Sequence, residues 1–354
     1  TQHALWRREA MIRVRVEARF VKLPPEAVAA LERAGHLDHL RTGHLGPETA
    51  AAVLALDPDA AGGSSHCVPG VRTSIRQTNA VSYVRDYDAE IAQGSIVGDP
   101  IIDVVREGVH LDVTPHLLLD GGLFLEVIAQ VCELAGPIRQ VRLEGLALGS
   151  VDLPACRLYR SVSAGRLAAG ETMALLSEDA GGSILALLIT PKVVGERSAL
   201  LLPVSALVGR REGYRLTDER DSYRQRPERD PPLLTRTNDD RAFIDMDNLA
   251  DLLTSRVLST ARAEKPQILA VGHRLTTRAA AEVEPAIHRQ LRSLEALATR
   301  TWRARVRLLE VQPDSRTKSI GAVILSAPAG RSVCVGSCLE RAYVADWDVE
   351  VAQE

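Results

Sequence analysis

The end of the chain repeats part of its beginning, and this restricts the fold more than any other feature. Tyr83-Val-Arg-Asp-Tyr-Asp-Ala-Glu-Ile-Ala-Gln93 recurs as Tyr343-Val-Ala-Asp-Trp-Asp-Val-Glu-Val-Ala-Gln353. Seven of the eleven positions are identical, and Tyr/Trp and Ile/Val are conservative at two of the others. Upstream, Arg303-Ala-Arg-Val-Arg-Leu-Leu-Glu-Val311 echoes the alternating stretch from Arg15 to Leu23. The first copy carries a helical insertion, about Pro25 to Leu56, that the second lacks. At 354 residues the chain exceeds one ordinary core, so the repeat divides it. The expected boundaries are 11–205 for a complete β-rich unit, 206–240 for a linker and 241–300 for a small α/β unit. Residues 301–354 are expected to open a second copy, truncated at Glu354.

The fold class expected is α+β, rich in antiparallel strands. Ile12, Val14, Val16, Ala18 and Phe20 alternate with Arg13, Arg15, Glu17 and Arg19, the period of a strand with one buried face. Pro24 and Pro25 end it, because proline cannot donate to a ladder. Pro25 suits the first turn of a helix from about Glu26 to Ala34, closed by Gly35. A second short helix is expected from Gly46 to Leu56. Val68 to Val127 reads as strands and turns, with Asp120-Gly121-Gly122 a hairpin signal before Leu123. Two more strands fit Glu171 to Ser177 and Ile184 to Ile189. Val208 to Asp240 is charged and contains Pro231 and Pro232, the composition of a linker. A helix near Asp247 to Leu258, one strand over Ile268 to Thr277 and a helix from Glu282 to Leu297 make up the α/β unit.

Charge and chemistry narrow the function. The net charge of -3 and pI near 6.3 leave no general basic field for nucleic acid or an anionic membrane. There is no run of eighteen uncharged apolar residues, the signal of a transmembrane helix. The chain opens on Thr1 with no signal-peptide apolar stretch, which reads as a fragment or a mature product. Nucleophile elbow, phosphate loop, dinucleotide fingerprint and H-E-x-x-H are all missing, so no catalytic or cofactor-binding residue is expected and the chain is not read as an enzyme. Gly62-Gly63-Ser64-Ser65-His66-Cys67 reads as a flexible loop. His36, His39 and His44 read as a solvated polar turn, because only Asp38 stands near them to complete a metal set. Cys67, Cys132, Cys156, Cys334 and Cys338 are odd in number and irregular in spacing, the pattern of small core or strand residues. Asp86, Asp88 and Glu90 form an acidic stripe, repeated as Asp346, Asp348 and Glu350. A strand holds such carboxylates in a line rather than around an ion, so no metal is expected.

Val14-Arg-Val-Glu-Ala-Arg-Phe-Val-Lys-Leu23 is similar to the opening strand of the secretin β-domain, written V-x-V-E-A-R-hydrophobic-hydrophobic-E-V. Lys22 stands where an acid is usual, and Glu310 supplies it in the second copy. Val109-His-Leu-Asp-Val-Thr-Pro115 with its Asp-Gly-Gly turn resembles the family's G-x-x-L-x-V-x-P strand. Leu188-Ile-Thr-Pro-Lys192 is similar to the terminal L-I-T-P-(R/K) signature. The likeness runs in order over about Ile12 to Gly195. Residues 241–297 resemble the KH-like N-domains that precede secretin β-domains, and they stand directly ahead of the second copy.

The resemblance implies a homo-oligomeric ring in the bacterial outer membrane or periplasm, passing secreted protein or a pilus. It places Asp86, Asp88 and Glu90 at a lumen or subunit seam. The alternative is a non-channel envelope scaffold or binding module. No gate segment is recognisable, the unit is duplicated in tandem, and aromatics make up 3% of the chain, few for membrane girdles.

Overall fold

The computed structural model describes residues 12–92, 95–142, 149–179, 181–195, 202–208, 211–216, 234–241, 243–258, 267–271, 274–278, 283–311, 317–328 and 335–341. The chain is α+β and dominated by antiparallel strands. Strand β1 (Arg13–Leu23) buries Val14, Val16, Ala18 and Phe20 on the alternating face read from the sequence. Pro24 stops it and Pro25 opens helix α1 (Pro25–Arg33), where its missing N–H costs nothing. Helix α2 (Leu37–Thr42) ends at Gly43, which takes φ 76°. Strand β2 (His44–Leu45) and helix α3 (Pro47–Leu54) follow. Leu31, Leu37, Leu40, Leu45 and Val53 from this insertion pack on Val21, Leu23, Ala174, Leu176 and Leu188 of the sheet.

Strand β3 (Ala61–Cys67) corrects one expectation, since Gly62 to Cys67 is not a loop but pairs antiparallel with β1, Val14 opposite Cys67. Its glycines mark close backbone approach: a Cβ on Gly62 would lie 2.2 Å from the Ala18 carbonyl oxygen. The long strands β4 (Thr73–Ala92), β5 (Ser95–Leu117) and β6 (Leu123–Leu134) come next. The turn between β5 and β6 lies at Asp120-Gly121-Gly122, where the Leu118 and Gly122 backbones close on each other. Then follow β7 (Arg139–Arg142), β8 (Ser150–Leu153), β9 (Ala155–Leu167), β10 (Thr172–Asp179) and β11 (Ile184–Val194).

Strand β12 (Leu202–Pro203) and helix α4 (Ser205–Val208) join the α/β unit that continues with α5 (Met246–Leu258), β15 (Gln267–Val271), β16 (Arg274–Arg278) and α6 (Glu284–Ala298). One core holds them: Leu202, Leu207, Leu253, Leu275, Ile287 and Leu291 are all buried together. The single strand expected over Ile268 to Thr277 is a hairpin, with Ile268 opposite Thr277. Within the stretch expected as a linker, β13 (Arg211–Leu216) and β14 (Leu234–Arg241) pair antiparallel. Strands β17 (Thr301–Val311), β18 (Thr317–Pro328) and β19 (Val335–Arg341) lie in the stretch expected to open a second copy.

The described residues fall into two compact units. One comprises those within 1–75, 111–128 and 161–335 and contains the sheet β17-β18-β10-β11-β1-β3, with β2 also paired to β10. The other comprises those within 76–110, 129–160 and 336–354. Polar side chains tie its strands: Asp152 accepts from the Val84 amide at 2.7 Å, and Glu107 accepts from the Leu134 amide at 3.1 Å. Strands β4, β5, β6, β9 and β19 belong to a five-stranded sheet in the order β19-β9-β6-β5-β4.

Candidate functional site

The strand that carries the opening motif and the strand that carries the closing motif lie side by side. Across β1 and β11, Arg15 stands opposite Lys192, Arg19 opposite Leu188 and Leu23 opposite Ile184. This ladder is eleven residues long on both strands, so register is fixed along its length.

At the other side of β10 lies β18. Ser177 faces Val323 and Asp179 faces Gly321. Around this short ladder sits a charged cluster. Arg41 Nη2 lies 3.0 Å from Glu178 Oε1, and Arg305 Nη2 lies 3.4 Å from Glu178 Oε2. Arg303 donates to the Thr42 carbonyl, and Ser163 Oγ donates to the Ser326 carbonyl at 3.1 Å. Each ion pair is partly exposed and contributes at most about 1 kcal/mol. The cavity at this junction, lined by His44, Met173 and Arg303 among others, is about 10 Å³. That is room for one water and no substrate.

A second cluster lies at the β5–β6 turn. Asp120 pairs with Arg166, and Asp120 Oδ1 accepts from the Gly122 amide at 3.0 Å. Burial pushes the Asp120 carboxyl up, but the Gly122 amide and Arg166 outweigh it and hold it below the usual carboxylate range. Beside it Glu295 of α6 is 4% exposed and accepts from the Leu119 amide at 2.9 Å. Burial raises Glu295 to about 7, with Asp120 adding to the rise and the Leu119 amide, Arg166 and Arg292 opposing it. Sequence reading passed over Glu295, whose only signal is an acid on the apolar side of the helix one residue after Leu294.

The residues singled out from sequence lie elsewhere. Asp86 is exposed on β4, where its Oδ1 accepts from the Tyr87 amide at 2.8 Å. Asp88 and Glu90 follow at alternate positions of the same strand, and their side chains lie outside the described residues, as do Asp346, Asp348 and Glu350. Strand β4 ends its sheet among the described residues. His36 caps α2 and its Nδ1 lies 3.2 Å from Thr49 Oγ1, while His39 is within α2 and His44 is on β2. Burial first, then the nearby Arg303 charge, lowers the His44 pKa, with Glu171 opposing. Among the described residues no three His, Cys, Asp or Glu side chains converge as a metal site. Cys67, Cys132 and Cys156 are reduced thiols, and burial pushes the Cys67 thiol up.

No helix among the described residues is long and apolar enough to cross a membrane. No protein-family model matches the chain, and no curated protein matches it. Among solved structures it is similar to the secretin InvG of the Salmonella SPI-1 type III secretion injectisome. In the near-atomic cryo-EM structure of InvG the identity is 11% and the TM-score 0.25, over 53% of this chain and 64% of that one. In the basal-body structure of InvG with PrgH and PrgK, the values are 11% and 0.25, over 53% of this chain and 45% of that one. The chain thus spans less than two thirds of the length of these neighbours.

Proposed function

We propose that the chain is a subunit of a secretin-like, homo-oligomeric channel of the bacterial envelope, with secreted protein or a pilus as cargo and no catalytic role. The observation that carries the reading is the β1–β11 ladder. The two strands that resemble the family's first and last motifs are eleven-residue neighbours in register, flanked by β3 antiparallel to β1 and β10 antiparallel to β11. Such a sheet leaves strands at its ends, and closure of many copies into a ring removes those ends from solvent. In this reading Asp86, Asp88 and Glu90 face a lumen or a seam between subunits.

A non-channel envelope scaffold built from the same repeat is the second reading, favoured by an aromatic content of 3%. The deciding measurement is the particle mass of the complete protein extracted from outer membrane in mild detergent, with negative-stain imaging. Large rings with a central opening are expected. A small oligomer without a pore would exclude the channel and leave the scaffold. In the ring, Asp86→Ala with Asp88→Ala should alter assembly or conductance, and no change in either would remove the stripe from the mechanism.

A further inference from the structure

The repeat can be followed into strands that share no sequence. In β1 Arg15 stands opposite His66 of β3, and in β17 the equivalent Arg303 stands opposite Ser326 of β18. His66 and Ser326 are 260 residues apart, the same spacing as Tyr83 and Tyr343. Ala61 to Cys67 and Gly321 to Ala327 have no residue in common when laid on each other. Backbone pairing thus makes β18 the counterpart of β3, and β19 the counterpart of residues 75–81 in β4.

With that equivalence both sheets have the same order. In one, the first copy contributes β10-β11-β1-β3, and β18, the β3 counterpart, lies against β10. In the other, the first copy contributes β9-β6-β5-β4, and β19, the β4 counterpart, lies against β9. Among the described residues each sheet therefore ends in β3 or β4 at one side and receives the counterpart of that strand at the other. The pairs along this path are antiparallel, and the first copy gives the path four strands, an even number, with the two-residue β2 beside β18 on the same side of β10. Strand direction is then preserved from copy to copy, and the pattern continues by repetition. This is a head-to-tail contact, the kind that builds rings or filaments.

We propose that β17, β18 and β19 hold, on the first copy, the seat of a neighbouring subunit, and that the β3 and β4 ends dock on β10 and β9 of a second copy of this chain whose seat has been vacated. The proposal rests on the reading of the chain as an assembling unit and names the edge and partner of that assembly. The register is specified: Gly63 of one chain opposite Ser177 of the next, and Ala61 opposite Asp179, copied from Val323 and Gly321. One position departs. Glu17 stands in the first copy where Arg305 stands in the second, so the contact between chains lacks the Arg305–Glu178 pair that holds the seat within one chain.

The test uses the full chain. Val323→Pro puts a residue without an N–H into β18 and should vacate the seat. Sedimentation should then show a weight-average mass raised at least about two-fold, as expected of head-to-tail association, and Ser65→Pro in β3 should reverse it. Arg305→Glu with Glu17→Arg is a gentler route that exchanges the charges and moves the favourable pair from within a chain to between chains. It should raise the mass even if the proline variant fails to fold. In either background, Gly63→Cys with Ser177→Cys should give disulfide-linked multimers absent from the parent. Within one chain those positions are separated by two intervening strands, too far for a disulfide. Unchanged mass in the charge-exchanged chain, or higher mass without these cross-links, would overturn the proposal. Rings from the envelope that lack the cross-link would do the same yet leave the channel standing, whereas cross-linked chains that form no ring would support the docking and sink the channel.

Discussion

Glu295 is the residue whose chemistry the fold changes most. Its folded pKa of about 7 lies above the ordinary 4.5, with burial as the first cause. An acid raised in the folded state takes up protons that the unfolded chain has released. Stability is therefore full below the unfolded value, falls as pH climbs towards about 7, and is level above it. We expect the melting temperature to drop between about pH 5 and pH 8. Glu295→Gln, which keeps an acceptor for the Leu119 amide, should flatten that slope, and a thermal-unfolding series with pH checks it. Asp120 works in the opposite sense, losing its contribution as pH falls through its depressed pKa, so the two neighbours separate at the two ends of the titration. Gly108 makes a purely steric demand. It has φ 131°, and a Cβ there would lie 2.2 Å from the Gln77 carbonyl oxygen. Gly108→Ala should cost roughly 1–3 kcal/mol, read from a denaturant midpoint.

Elements were legible where one physical signal sufficed. The eleven-residue alternation of β1, the prolines that open α1 and α3, and the apolar stripe of α6 each matched an element. Gly62 to Cys67 was illegible because small polar residues carry no alternation; the strand exists because glycines let its backbone lie close against β1. The hairpin β15–β16 read as one strand because only two residues of sequence separate its arms. Helix α6 supplies much of the α/β core, with Ile287 and Leu291 fully buried. Leu291→Ala should cost about 2–5 kcal/mol. The loss should appear as faster proteolysis in 284–298 with β1 still protected, and equal loss at both sites would show one cooperative block instead.

For the whole molecule, position decides what the same pattern is worth. Strand β1 lies between β11 and β3, whereas β17 pairs with β18 and ends the sheet among the described residues. Ala18 is fully buried, and its counterpart Val306 is 47% exposed. Amide exchange should accordingly be at least about tenfold faster in Thr301–Val311 than in Arg13–Leu23, measured residue by residue. Equal protection would mean that a further strand covers β17 in solution. The charged cluster around Glu178 belongs to this scale too, since Arg41, Glu178 and Arg305 are scattered over the chain and meet only at the junction.

The sequence by itself determined that an eleven-residue stretch near the start recurs near the end with seven identities, that β1 alternates, and that prolines and glycines place the ends of the first helices. These follow from local periodicity and from backbone chemistry, which neighbours in sequence share. Only the tertiary structure decided which strands become neighbours, that Ala61–Cys67 and Gly321–Ala327 are counterparts, and that Glu295 is buried beside Asp120 and Arg166. Pairing register and burial depend on backbone groups brought together from distant parts of the chain, and no window of sequence contains both partners.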